Sequence, residues 1–357
     1  MSQLGLGMSS TTDESGGRRG VAATVVAVLV MVGLVGVLVA VGVRWLTSSP
    51  DYSGAGQGQV EVQVRPGDSV TRIGETLAQA DVVRSSEAFV DAASAVPEAQ
   101  GIQPGTYRLR LQMGAAEALA LLLDPESKVT TKVVIPEGTR LETTVALISE
   151  ATRIPAAELE EVLAAPAALG LPDYAEGDAE GFLFPATYDV APGTGAEEVL
   201  AAMVARFDQA AQDVDLVARA ADVGLDPREV VIVASLLEAE GRPEDFAKIA
   251  RVIYNRLAAD MRLQLDATVN YALGRGGLSL SPDDLAVDSP YNTYRVKGLP
   301  PGPINSPGEA ALEAALSPED GPWLYYVTVD PESGETKFTD SYEEFLQFKA
   351  EYKANRG

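Results

Sequence analysis

The chain contains neither a histidine nor a cysteine. Those two absences exclude a Ser-His-Asp triad, a cysteine nucleophile, a zinc finger, a His-ligated metal centre and any structural disulfide. Acid–base chemistry is left to Glu, Asp, Tyr or Lys, any metal site would have to be built from oxygen ligands, and no cofactor is expected. Positive charge is also scarce. Against 27 Lys plus Arg stand 52 Asp plus Glu, a formal net charge of −25 over 357 residues. Such a balance speaks against nucleic acid as a partner, because phosphates and carboxylates repel each other. The length accommodates two modest domains, each with its own core.

Residues 1–20 are rich in Ser, Gly and Thr without an apolar period, and predict a disordered cytoplasmic tail. Residues 21–43 carry no charge and little that is polar beyond Thr24. A helix needs about 20 such residues to cross a bilayer, so one N-terminal transmembrane helix is expected. The run is too long and too deep in the chain for a cleaved signal peptide. Arg18 and Arg19 precede it and Arg44 follows it, which by the positive-inside rule favours a cytoplasmic N-terminus and an extracytoplasmic remainder. Trp45 stands where an interfacial aromatic belongs.

Residues 44–59 read as a linker. Val60–Val64 alternates as a strand, and Pro66-Gly67 turns the chain. A helix capped by Asp68 or Ser69 runs to Leu77, a second covers Ser86–Ala95, and Tyr107–Leu111 returns as a strand. This strand–helix–helix–strand order resembles a LysM-like module over residues 60–127, for which a glycan-binding surface and a plain spacer are both open readings. A helix at Ala115–Leu123 closes it. From residue 128 a larger α+β domain is expected, with a strand to Ile135, helices from Leu141 or Glu142 to Ala151 and over Ala157–Ala164, and a long helix at Ala196–Ala211. Phe182, Phe184 and Tyr188 read as packed core residues beside Pro185.

The chemistry is expected at the end of one buried helix. Asp226-Pro227 is a capping side chain followed by Pro at the first helical position, and Val230–Leu237 is apolar on nearly every side. The run ends Glu238-Ala239-Glu240-Gly241, with Gly241 expected as the left-handed residue after the helix. Two carboxyls at a helix C-terminus meet the negative end of the dipole, and burial works in the same direction, so both are candidates for a raised pKa. A carboxyl protonated near neutral pH is what a general acid requires. Spacing does not choose between Glu238 and Glu240.

A helix over about Asp245–Ala258 follows, carrying Tyr254, Asn255 and Arg256 on its polar side. Three segments after it, Leu263–Tyr271, Ser289–Tyr294 and Lys297–Asn305, combine amide, hydroxyl and aromatic groups and are expected as loops able to grip a sugar. A helix near Gly308–Ala315, strands at Trp323–Val329 and Lys337–Thr339, and a helix over Tyr342–Tyr352 complete the domain.

The ordered set Ile135-Pro136-Glu137-Gly138, Glu180-Gly181-Phe182-Leu183-Phe184-Pro185-Ala186-Thr187-Tyr188, Ala234–Gly241, Tyr254-Asn255-Arg256-Leu257, Leu263-Gln264-Leu265-Asp266, Ser289–Tyr294 and Gly298–Ile304 resembles the endolytic murein transglycosylase family (MltG/YceG-like). The likeness extends from about Val60 to the C-terminus. It implies a mixed α+β catalytic domain with a lytic-transglycosylase-like helical active-site region. It also implies cleavage between N-acetylmuramic acid and N-acetylglucosamine in nascent glycan strands, leaving a 1,6-anhydro end and terminating strand elongation. Peptidoglycan strands, and peptidoglycan-synthesis proteins, are the partners it implies. The second Glu of the Glu-x-Glu pair is the family's catalytic residue, which falls on Glu240. Glu238 is then a supporting residue whose charge could hold the Glu240 pKa up, and Asn255, Gln264, Asp266, Tyr291 and Asn292 are candidate substrate contacts. Ala186 and Ala267 depart from the family, which usually has an acid and often a Pro there; neither is expected to touch the acid. The family's former label as an aminodeoxychorismate lyase, a cytosolic pyridoxal-phosphate activity, does not suit an anchored chain.

Two rival readings are a non-enzymatic wall-binding scaffold and an ordinary glycosidase. The first tolerates a solvated or packed Glu240. The second requires another carboxylate across the cleft at roughly 5–9.5 Å.

Overall fold

The computed structural model describes residues 30–36, 49–276, 280–330 and 332–355. The expected tail lies outside them, as does most of the expected span; residues 30–36 are helical (α1) and exposed. Among the described residues no helix is long and apolar enough to cross a membrane. The chain divides into two compact units, Met1–Val129 and Thr130–Gly357, both mixing helices with small antiparallel sheets.

In the first unit β1 (Gln57–Val64), α2 (Val70–Gln79), α3 (Ser86–Ser94), β2 (Gly105–Leu111) and α4 (Ala115–Leu123) follow in chain order. β1 and β2 pair antiparallel with Val62 opposite Tyr107 and Val64 opposite Gly105, so the alternation read in the sequence turns Val62, Val64, Tyr107 and Leu109 inward. Serine side chains start both helices after β1: Ser69 Oγ accepts from Arg72 N, and Ser85 Oγ accepts from Ala88 N. Leu77, Phe89, Leu109, Met113 and Leu119 fill the core between them.

The second unit begins with β3 (Thr131–Val134), α5 (Leu141–Thr152), α6 (Ala156–Ala164), β4 (Thr187–Val190) and α7 (Ala196–Asp213). β3 and β4 are antiparallel, Val133 facing Tyr188, and their inner face meets Ile148, Leu159, Leu200 and Met203. A short α8 (Leu216–Arg219) leads to α9 (Pro227–Glu240), which α10 (Phe246–Ala258), α11 (Asp266–Ala272) and α12 (Glu309–Leu316) pack around. The β5 (Tyr325–Asp330) and β6 (Glu335–Thr339) hairpin and α13 (Tyr342–Asn355) complete the unit.

α9 positions the site, and its sequence accounts for its state. Asp226 and Glu229 form a reciprocal capping box with Pro227 in the first turn, and every residue from Val230 to Leu237 is buried. Phe182 packs edge-on against Phe207 at 4.9 Å beside it, confirming the core role of that aromatic segment. Gly181, at φ +84°, allows the close approach of this segment, because a Cβ there would stand 2.5 Å from the Pro303 ring.

Two expectations fail locally. Gly241 is not left-handed: at φ −148° it is extended, and what requires glycine is space, since a Cβ would collide with Ile249 Cδ1. Residues 266–272, expected as loop, form α11, because Thr268 and Val269 are buried by tertiary packing that a local reading does not see.

Candidate active site

Glu240 ends α9, and three elements meet at its carboxyl. The Tyr326 hydroxyl from β5 donates to Oε2 at 2.8 Å, and the Ala267 backbone N–H from the first turn of α11 donates to Oε1 at 3.3 Å. The side chain is partly exposed at the surface while its carboxyl is surrounded by protein atoms. Burial pushes its pKa from 4.5 up to about 7, and the charge of Asp266 adds to that push; the two hydrogen bonds and the Arg256 guanidinium oppose it. Arg256 is itself buried, its Nε donating to the Leu324 carbonyl at 2.7 Å and its guanidinium lying over the Tyr325 ring. A carboxyl balanced near neutrality, held at both oxygens, can deliver a proton and take one back.

Glu238 faces away from this point. Its Oε2 accepts from Gly308 N at 3.1 Å, and the charge raising its pKa beyond the effect of burial is that of Glu137. The neighbouring negative charge acting on Glu240 is therefore Asp266, and not Glu238 as expected. Ala267 also corrects an expectation, since its N–H touches the acid. A proline there would have no hydrogen to donate.

The expected substrate contacts separate into two groups. Gln264 and Asp266 are exposed at the start of α11; Gln264 N donates to the Thr293 carbonyl at 3.1 Å, and Asp266 Oδ1 accepts from the Tyr294 hydroxyl at 2.5 Å. Tyr291 is half-buried against Tyr271 with ring centroids 4.8 Å apart. Asn292 and Asn255 are architectural instead. Asn292 is fully buried and donates to the carbonyls of Leu285 and Val287 at 3.0 and 2.8 Å, while Asn255 donates to those of Gly321 and Trp323 at 3.0 and 2.8 Å. Each ties a loop shut with the amide that was expected to bind sugar. Thr293 does the same for the α11 entry, accepting from Leu265 N at 2.9 Å and bonding Thr268 Oγ1 at 2.9 Å.

Glu180 was missed. It is 6% exposed, with Oε1 accepting from Leu141 N at 3.0 Å and Oε2 from the Tyr271 hydroxyl at 3.2 Å. Burial raises its pKa to about 7 in spite of both hydrogen bonds. The acid opening an otherwise apolar and aromatic motif, Glu180-Gly181-Phe182-Leu183-Phe184, was the available signal.

The fold and site together define a mixed α+β protein with a carboxyl at the end of its central helix, Glu240, that can be protonated near neutrality, the equipment of an acid–base enzyme that needs neither histidine nor cysteine. The YceG-like family profile matches residues 62–351, and the chain belongs to that family. A Bacillus subtilis protein named endolytic murein transglycosylase is 31% identical over 309 residues, covering 82% of this chain and 84% of its own. A Streptococcus pneumoniae protein of the same name is 29% identical over 324 residues, and the match covers 82% of this chain but 58% of that one. The crystal structure of a YceG-like protein from Listeria monocytogenes superposes with a TM-score of 0.56 at 28% identity, covering 81% of this chain and 98% of the other.

Proposed function

We propose that this chain is a peptidoglycan lytic transglycosylase, cleaving between N-acetylmuramic acid and N-acetylglucosamine within glycan strands, with Glu240 as its acid and base. The observation that carries the reading is the Glu240 carboxyl, poised near pH 7 between Tyr326 and Ala267. Protonated Glu240 gives its proton to the glycosidic oxygen as the C1–O bond breaks, releasing the N-acetylglucosamine hydroxyl. The C6 hydroxyl oxygen of the muramic acid then closes on C1 and its proton passes to the Glu240 carboxylate, which restores the acid. Atoms balance without water, and one carboxyl suffices where a hydrolase needs two. The names of the related proteins support the same activity.

Around this chemistry, the uncharged stretch 21–43 supports anchoring by a single span with the N-terminus cytoplasmic and the catalytic unit outside. The β1–α2–α3–β2 order of the first unit supports a LysM-like reading. Action on nascent strands, ending their elongation beside the synthesis proteins, is the physiological role that follows.

Digestion of purified uncrosslinked peptidoglycan by the full chain, with products read by mass, tests the reading. Anhydro-ended fragments from the wild type, reduced at least 100-fold in Glu240→Gln, are expected. Asp266, the exposed carboxylate whose charge reaches Glu240, is the observation that favours a hydrolase as second reading. Reducing ends in place of anhydro ends would establish it. Glycan binding without cleavage would establish the scaffold.

A further inference from the structure

A surface cavity of about 610 Å³ opens beside the first turn of α5, walled by Thr139, Arg140, Glu142 and Thr143 on one side and by Gly274 and Arg275 on the other. Both walls lead back to the end of α9, where the acid stands. The segment before Arg140 bonds to the loop ahead of α12, Gly138 N donating to the Ser306 carbonyl at 2.9 Å, and that loop reaches Glu238 through Gly308. The opposite wall continues α11, whose Ala267 N–H touches Glu240 and whose Asn270 carbonyl, about one turn further along, accepts from Arg140.

The charges lining the cavity are unevenly satisfied. Arg275 is paired with Asp284 at 2.5 Å. Arg140 lies 5.4 Å over the Tyr271 ring, its Nη1 donating to the Asn270 carbonyl at 3.5 Å, and among the described residues it has no carboxylate within ion-pair distance. The nearby acid, Glu180, is held neutral below about pH 7 by burial, so it does not neutralise Arg140 there. Glu142 is exposed and, among the described residues, has no cationic partner. One guanidinium and one carboxylate without an ion-pair partner among the described residues thus share a cavity with the Thr143 hydroxyl. A neutral sugar satisfies neither charge. A substituent bearing both a carboxylate and an ammonium group satisfies both.

We infer that this cavity binds the peptide stem carried by the glycan strand, Arg140 taking a stem carboxylate and Glu142 the free ammonium group of an uncrosslinked diamino acid. The inference rests on the transglycosylase reading and adds a selection rule to it. Cross-linking turns that amine into an uncharged amide and removes the partner of Glu142, so the cavity discriminates against cross-linked strands. The lactyl group of a peptide-free muramic acid also offers a carboxylate, but brings no ammonium group with it.

The test compares kcat/KM of the full chain on uncrosslinked strands with intact stems, on the same strands with the diamino acid N-acetylated, and on strands stripped of peptide. Wild type is expected to prefer intact stems about tenfold over either of the others. Arg140→Gln is expected to collapse the intact-to-stripped ratio, and the exposed Glu142→Gln to collapse the intact-to-acetylated ratio. A folding defect lowers all three rates together and leaves the ratios standing; ratios unchanged in both variants overturn the inference, as does a wild-type preference for stripped strands, which would assign the carboxylate to the lactyl group. Affinity of Glu240→Gln for free stem peptide, lost in Glu240→Gln/Arg140→Gln, gives the same answer without turnover. Cleavage of none of the three substrates, with stem peptide still bound, overturns the transglycosylase reading and not the peptide site.

Discussion

The Tyr326 hydroxyl donates to Glu240 Oε2 at 2.8 Å across 86 positions of sequence. The tyrosine stands in β5 and the acid at the end of α9, so the acid's protonation state is set partly by the hairpin that follows α12. A donor to a carboxylate stabilises its ionised form, which makes Tyr326 a brake on the rise that burial imposes.

Tyr326→Phe removes that brake. The Glu240 pKa is expected to climb above about 7, moving the alkaline limb of the kcat/KM profile upward by about one pH unit, consistent with the worth of a hydrogen bond to a charged group. A pH–rate profile from pH 5 to 9 measures it. A limb that stays in place would mean another group controls that ionisation.

Ala267→Pro deletes the second donor by a different route. Proline is tolerated in the first turn of a helix but has no N–H, so Oε1 loses its partner while α11 keeps its start. The limb is again expected to shift toward higher pH, by less than for Tyr326→Phe, because 3.3 Å is the longer bond. Unchanged circular dichroism and thermal midpoint would confirm that the helix survives.

Glu180 links pH to stability. Its folded-state pKa is raised from 4.5 to about 7, so the folded protein holds the proton more tightly than the unfolded chain. Its contribution is fully present below about pH 4.5 and is lost as pH rises through about 7, a loss of at most about 3 kcal/mol. Glu180→Gln is expected to flatten that part of the decline in urea titrations at pH 5 and 8. Glu180→Ala, leaving Leu141 N and the Tyr271 hydroxyl without an acceptor, is expected to destabilise by about 1–3 kcal/mol at both.

Asn292 and Gln264, alike in the sequence as candidate sugar contacts, are expected to part company on mutation. Asn292→Ala takes the protein donor away from the carbonyls of the half-buried Leu285 and Val287 and lowers stability by about 1–3 kcal/mol. Gln264→Ala, at an exposed side chain, leaves stability within about 0.5 kcal/mol, and any effect appears in KM. Denaturant midpoints paired with steady-state kinetics separate the two.

What the sequence determined by itself was whatever depends on near neighbours in the chain. Val62 and Val64 turn inward because strand side chains alternate, and α9 begins at Pro227 because Asp226 and Glu229 cap one another three residues apart. The absence of histidine and cysteine confined the chemistry to carboxyls, and the apolar run Val230–Leu237 announced a buried helix with acids at its end. The tertiary structure decided what depends on groups distant in sequence. Glu238 and Glu240 share a helix turn, yet only Glu240 meets Tyr326, Ala267 and the charge of Asp266, because those partners arrive from β5 and α11. Asn255 and Asn292 have the composition of sugar-binding groups but close loops, Asn255 because the carbonyls it bonds are 66 and 68 positions away, and Asn292 because tertiary packing buries its side chain against its own loop. A side chain's chemistry is written locally, but its pKa and its partners are set by desolvation and by contacts that exist only after the chain has folded.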